Sequence, residues 1–216
     1  LARYLERFFT SPHYSELAKL YYQAHRSPRS IARFADFSNH SSEELNIIQQ
    51  ALVHLAPRDS HASLKYWSHY QQTHDFTDAA RSAIVSAIIK GLYKQGATAV
   101  ADSYFSDHLQ LLNETLDGSL VEWRIRLALA KKDWPNVSVW LERLPKNLQS
   151  RTSWRYWTIR SMLSNPLTTE HPALLQMTES LAQERDFYGF LASDMLDKEY
   201  RINHRPVAID PQRLEA

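Results

Sequence analysis

Apolar positions recur at helical spacing along most of this chain. Val137, Trp140, Leu141 and Leu144 fall at i, i+3, i+4 and i+7, which gathers them on one face of an α-helix. Asp133 precedes that run as an N-cap, and Pro135 occupies the first turn, where its missing N–H costs little. Pro145 disfavours the α conformation at Leu144 and ends the helix there. The next helix is predicted to begin near Ser153, with Trp154 and Trp157 on one side and Tyr156, Ile159 and Leu163 on another. Apolar residues on more than one face mark a helix packed between neighbours.

The same reading extends upstream and downstream. Residues 13–24 are aromatic and amphipathic, and Ser27-Pro28 opens a short helix through Phe37. Ser41-x-x-Glu44 is a capping box ahead of Leu45, Ile48, Leu52 and Leu55. Asp59 caps a helix that carries Leu64 and Trp67. Ile84, Val85, Ile88, Ile89 and Leu92 form a wide stripe that has to be deeply buried. Further helices are predicted over 98–113, 120–130, 134–144, 153–164, 172–184 and 187–198, for about eleven in all. The fold class is therefore all-α. The expected architecture is an α-superhelix, a solenoid-like stack of antiparallel helices with irregular tetratricopeptide-like hairpins. Expected starts near 121, 154 and 187 are spaced by roughly 33 residues, the tetratricopeptide period, although the Gly and Ala positions of that consensus are not met.

Composition narrows the class. The chain has 216 residues, enough to bury a sizeable core. It has 25 Lys+Arg against 24 Asp+Glu, a balance that gives no reason to expect nucleic acid as a partner. There is no cysteine, which excludes disulfides, thiolate metal sites and a Cys nucleophile. No apolar run reaches the ~18 residues that a membrane span needs. Four glycines leave no room for a phosphate-cradling loop, and Asp117-Gly118 precedes a helix rather than joining two strands. Leu1-Ala2-Arg3 reads as mid-helix sequence, so the chain is expected to be a fragment.

Candidate chemistry is sparse. Ten histidines include no His-Glu-x-x-His, and His54/His61 and His69/His74 are poorly spaced as ligands on one helix face. They are expected at turns and caps, with no metal and no cofactor. There is no Gly-x-Ser-x-Gly elbow. The six Trp and eleven Tyr are expected to fill gaps between helices rather than to stack on sugars. Asn39-His-Ser, Asn113-Glu-Thr and Asn136-Val-Ser match the glycosylation triplet, which arises often by chance.

Three stretches together resemble the helical U-domain of soluble lytic transglycosylases. They are Trp140-Leu141-Glu142-Arg143-Leu144-Pro145, Trp154-Arg155-Tyr156-Trp157 and the Phe187-Tyr188 helix; Ala51–Asp59 is a looser match. The resemblance implies a periplasmic, peptidoglycan-processing parent enzyme of Gram-negative bacteria. Such enzymes cleave between N-acetylmuramic acid and N-acetylglucosamine, leave a 1,6-anhydro sugar and need no cofactor. A single Glu in a lysozyme-like domain does the chemistry, and the U-domain helps to hold or admit glycan strands. The partners implied are those strands and the chain's own catalytic domain. That domain's Gly-Leu-Met-Gln and Ala-Tyr-Asn stretches are not found here. The one Glu-Ser pair, Glu179-Ser180, lies mid-helix and reads as a solvated face. No catalytic residue carries over. The expected division is a helical domain over 1–203 and a linker over 204–216. Arg151 and Arg155, with exposed aromatics, are the candidates for glycan contact. The competing reading is an independent helical-repeat module that binds a protein or peptide.

Overall fold

The computed structural model describes residues 12–115 and 118–202, with the side chains of 12–14 and 113–115 outside that description. The expectations for Leu1-Ala2-Arg3, for the 204–216 linker and for the Asn113 side chain lie outside the described residues. Among the described residues every regular element is helical: twelve α-helices and two short 3-10 stretches. The chain divides into two compact units, Leu1–Leu120 and Val121–Ala216.

The first unit holds α1 (Pro12–Arg26), α2 (Ser42–Leu55), α3 (Ser60–Thr73), α4 (Asp78–Lys94), α5 (Thr98–Asp107) and α6 (Leu109–Thr115). Helices α2, α3 and α4 pack on one another, α1 lies on α2, and α5 and α6 lie on α4. The α4 stripe is as buried as its pattern required: Ile84, Val85, Ile88, Ile89 and Leu92 are all inaccessible to solvent. Gly91, on the same helix, lets α4 approach the end of α2. A Cβ at this position would collide with the Ala56 carbonyl. A close-packing glycine is therefore present after all, where no consensus position marked it.

Caps act largely as the sequence required. Asp59 accepts from the Ala62 N–H at 2.9 Å, and Thr77 caps α4 in the same way. The Asp59 carboxyl sits below the usual carboxylate range, chiefly because of that N–H and secondarily because of Arg29. At Ser41 only half of the capping box forms. Ser41 Oγ accepts from Glu44 N at 3.2 Å, but Glu44 turns inward and takes the Asn39 N–H at 3.2 Å.

Two predicted elements differ. The helix expected from Ser27-Pro28 to Phe37 is instead a pair of 3-10 stretches, Pro28–Ala32 and Phe34–Asp36. The apolar residues here, Ile31, Phe34 and Phe37, recur every third position, which is the 3-10 repeat. The helix expected over 98–113 breaks at His108, whose Nδ1 lies 2.9 Å from the Tyr104 carbonyl and whose ring lies tilted against that of Tyr104 at 4.2 Å.

The second unit holds most of α7 (Ser119–Ala130), then α8 (Trp134–Glu142), α9 (Lys146–Gln149), α10 (Thr152–Leu163), α11 (Pro172–Leu181) and α12 (Phe187–Met195). Helix α10 packs on α8, α9, α11 and α12. Ile159, Leu174, Leu181, Ala182 and Ala192 form a core around it, flanked by Met162, Met177 and Met195. Helix α9 was not predicted. Pro145 ends α8, yet its own carbonyl accepts from Leu148 N at 2.8 Å and starts a new turn that buries Leu148.

Candidate functional site

The residues with the strongest sequence signal converge in the second unit. Asp133 caps α8 by accepting from Asn136 N at 3.3 Å, and its other oxygen holds the Asn136 amide at 2.7 Å. The Asn136 glycosylation triplet is thus built into a helix cap. Val137, Trp140, Leu141 and Leu144 are all buried, as their spacing required. The Trp140 ring lies between two guanidiniums, Arg124 at 5.4 Å and Arg143 at 4.6 Å from its centroid.

Helix α10 divides its aromatics. Trp154 is buried and donates from Nε1 to Glu122 Oε1 at 2.8 Å, and Arg126 lies over its ring at 5.4 Å. Arg151 reaches the same Glu122 oxygen at 3.6 Å. Tyr156 and Trp157 are half-buried and meet edge to face, and Tyr156 packs on Tyr188 of α12. Leu163, expected on a packed face, is 37% exposed because α10 ends there. The three matched stretches therefore touch through α10. Their residue types are conditions of packing.

The two arginine candidates part company. Arg155 donates to Glu184 at 2.8 Å and to Ser180 at 3.0 Å, so its guanidinium ties α10 to α11 and the turn after it. Arg151 remains 60% exposed. Ser180 is an acceptor for Arg155, and Glu179 pairs with Lys198 at 2.8 Å, so the Glu-Ser pair serves surface contacts. Arg155 also helps to hold the α12 cap. Burial alone would raise the Asp186 pKa, but Thr152, the Gly189 and Tyr188 N–H groups and Arg155 outweigh it and keep the carboxyl below its usual range.

A cleft of about 430 Å³ opens between α8, α10 and α11. Leu141, Leu144, Trp154, Met162 and Met177 make its apolar wall. Several of its polar groups are already engaged. Thr158 donates to the Trp154 carbonyl at 2.9 Å, Thr168 to Met162 at 2.7 Å and Gln149 to Leu144 at 2.8 Å. Glu142 is the one acidic residue on its lining, and it is exposed. Such a cleft can seat an apolar face. His171, expected at a turn, caps α11 by accepting from Ala173 N at 3.2 Å. No group of three potential metal ligands occurs among the described residues.

Comparison with known proteins agrees with this geometry. No family model matches the chain. A solved structure of an inactive glutamate-to-glutamine mutant of lytic transglycosylase Slt from Pseudomonas aeruginosa superposes with a TM-score of 0.76 at 27% identity. It covers 99% of this chain and 33% of that one. The chain is similar in fold, and over part of its length in sequence, to soluble lytic transglycosylases. The soluble lytic murein transglycosylase of Escherichia coli K12 is 33% identical over 94 residues, 43% of this chain. That of Salmonella typhimurium is 34% identical over 84 residues. The 70-kDa soluble lytic transglycosylase in complex with bulgecin A has a TM-score of 0.79 at 19% identity, a likeness of fold. The matched regions span 14% and 13% of the two curated transglycosylases, and the chain covers about a third of the solved ones.

Sequence reasoning did not find the cleft or the inward turn of Glu44. Both assemble residues from separate helices, and no local pattern announces them.

Proposed function

We propose that this chain is the helical, non-catalytic part of a periplasmic lytic transglycosylase. In this reading the parent enzyme cleaves peptidoglycan between N-acetylmuramic acid and N-acetylglucosamine to leave 1,6-anhydro ends. Residues 1–203 form a superhelical domain that holds or admits glycan strands, and 204–216 lead to the catalytic domain. The observation that carries the reading is the superposition of nearly the whole chain, at 27% identity, on one third of an authentic lytic transglycosylase. Two further features favour it. The matched motifs serve packing, as a scaffold requires. Exposed Phe187, Tyr200 and Arg151 offer the aromatic and cationic groups that sugar faces and their substituents meet.

Co-sedimentation with purified peptidoglycan sacculi tests the proposal. The chain is expected to pellet with sacculi in a saturable manner and to be displaced by soluble glycan strands. Equal recovery in the supernatant with and without sacculi would favour a free-standing protein-binding module instead.

A further inference from the structure

A second hollow, of about 630 Å³, lies in the first unit at the C-terminal ends of α1 and α2. Arg26, Arg29 and Arg58 line it together with Asp59, His25 and His54. An adjoining hollow shares Arg26 and Arg29 and adds Arg33. Four arginines from the end of α1, the 3-10 stretches and the turn after α2 thus crowd one patch. The chain as a whole carries a net charge of only +1, so general basicity does not explain the crowding.

The acids nearby are already committed. Asp59 pairs with Arg29 and also caps α3, and Asp36 pairs with Arg33 at 3.0 Å. Arg26 meets a neutral partner, the Tyr22 hydroxyl at 3.0 Å, and Arg58 donates to the His54 carbonyl at 2.9 Å. Among the described residues neither has a carboxylate partner. Cations at helix C-termini are favourable in themselves, and the Arg58–His54 bond is such a cap. Capping uses one donor of a guanidinium that has five, and it gives no reason for Arg26 and Arg58 to join the two paired arginines in one patch.

We propose that this hollow binds carboxylate groups, and that the carboxylates are those of peptidoglycan peptide stems. The planar guanidinium fork matches a carboxylate in two parallel hydrogen bonds, and Arg26 and Arg58 both line the hollow with no acid partner among the described residues. The edge-to-face rings of His25 and His54, 6.3 Å apart, line the same hollow and offer it apolar surface. The assignment of stems as the source rests on the reading of the chain as part of a peptidoglycan-processing enzyme. Phosphate has similar chemistry, so the test separates the two sources.

The test titrates the full chain with a soluble disaccharide-tetrapeptide muropeptide that has free stem carboxylates, with its fully amidated counterpart and with inorganic phosphate. The free-carboxylate form is expected to bind, with affinity falling as salt rises. Amidation and the double substitution R26Q/R58Q are each expected to weaken binding about tenfold or more. R160Q, a charge loss on α10, is expected to leave binding within about twofold. The pair R26K/R58K keeps charge and capping but not the fork, so it also binds more weakly than the parent chain and serves if the Gln pair unfolds. Equal binding of the amidated form, unchanged affinity in both double variants, or displacement by equimolar phosphate would overturn the stem assignment. Sacculi retained by the parent chain and by both double variants alike would sink only this inference. Failure of the parent chain to bind either sacculi or muropeptide would remove the peptidoglycan reading itself.

Discussion

Trp140→Ala is expected to cost the second unit about 3–5 kcal/mol, the usual range for removing a fully buried tryptophan. Trp140 is 2% exposed, on a helix that packs against α10. The loss reaches beyond the cavity. Arg124 is itself 4% exposed and lies over the ring, so truncation takes away a cation–π contact from a buried charge. Typical domains have only about 5–15 kcal/mol in total, so a large part of the unit's margin goes with this one side chain. Urea unfolding followed by circular dichroism is the check, with the midpoint falling while the slope stays the same. Trp157→Ala is the contrast. Trp157 is half-buried, and about 1–2 kcal/mol is expected there. Equal costs at the two positions would contradict the assignment of Trp140 to the core and Trp157 to its edge.

His74→Ala is expected to be comparably severe in the first unit. Glu44 is fully buried, its Oε2 takes the Asn39 N–H, and its Oε1 has no hydrogen-bond partner. His74 Nε2 is 3.6 Å from that oxygen and 3.1 Å from the Phe37 carbonyl, and Nδ1 lies 2.8 Å from Thr73 Oγ1. The His40 ring stacks on His74 at 4.2 Å, with His40 held at a φ of 55°. Removing the imidazole takes away a group beside the buried Glu44 Oε1 and the partner of the Phe37 carbonyl and leaves a cavity, a loss of about 3–5 kcal/mol. The Tyr70 hydroxyl donates to Ile31 at 2.6 Å nearby, and burial, aided by Glu44 and Asp36, pushes its pKa well above the ordinary range. It cannot move to compensate without giving up its own bond. The double variant Glu44→Leu/His74→Ala is expected to recover part of the loss, with a coupling of about 0.5–3 kcal/mol in a double-mutant cycle. Strict additivity would mean that the two side chains act independently.

Much of this fold was legible because its signals are local. Asp59 and Asp133 announce their caps, and the stripes on α4 and α8 announce their buried faces. Pro145 announced a stop but concealed a start, since proline lacks a donor and keeps its carbonyl. The 3-10 stretches carried a three-residue repeat at Ile31, Phe34 and Phe37 that could have been read against the α period. The break at His108 had no Gly or Pro to mark it, because a side chain beside a backbone carbonyl leaves no compositional trace. Glu44 misled for a physical reason. A glutamate three residues after Ser41 belongs to a capping box, and only the arrival of His74 from α3 gives it a reason to point inward. The candidate sites followed the same rule. Arg155 looked like a surface cation until α11 and the turn after it supplied Ser180 and Glu184. The arginine hollow joins Arg26 to Arg58 across two helices, which no spacing rule connects.

What unites these observations is a chain whose strongest motifs build a scaffold. In the proposed function, holding glycan strands and cutting them are separate tasks. Purified sacculi incubated with the chain, followed by mass spectrometry of the released muropeptides, test that separation directly. The chain is expected to be retained on the sacculi while 1,6-anhydro products stay at the level of the buffer control. Release of those products in proportion to time and protein would contradict it.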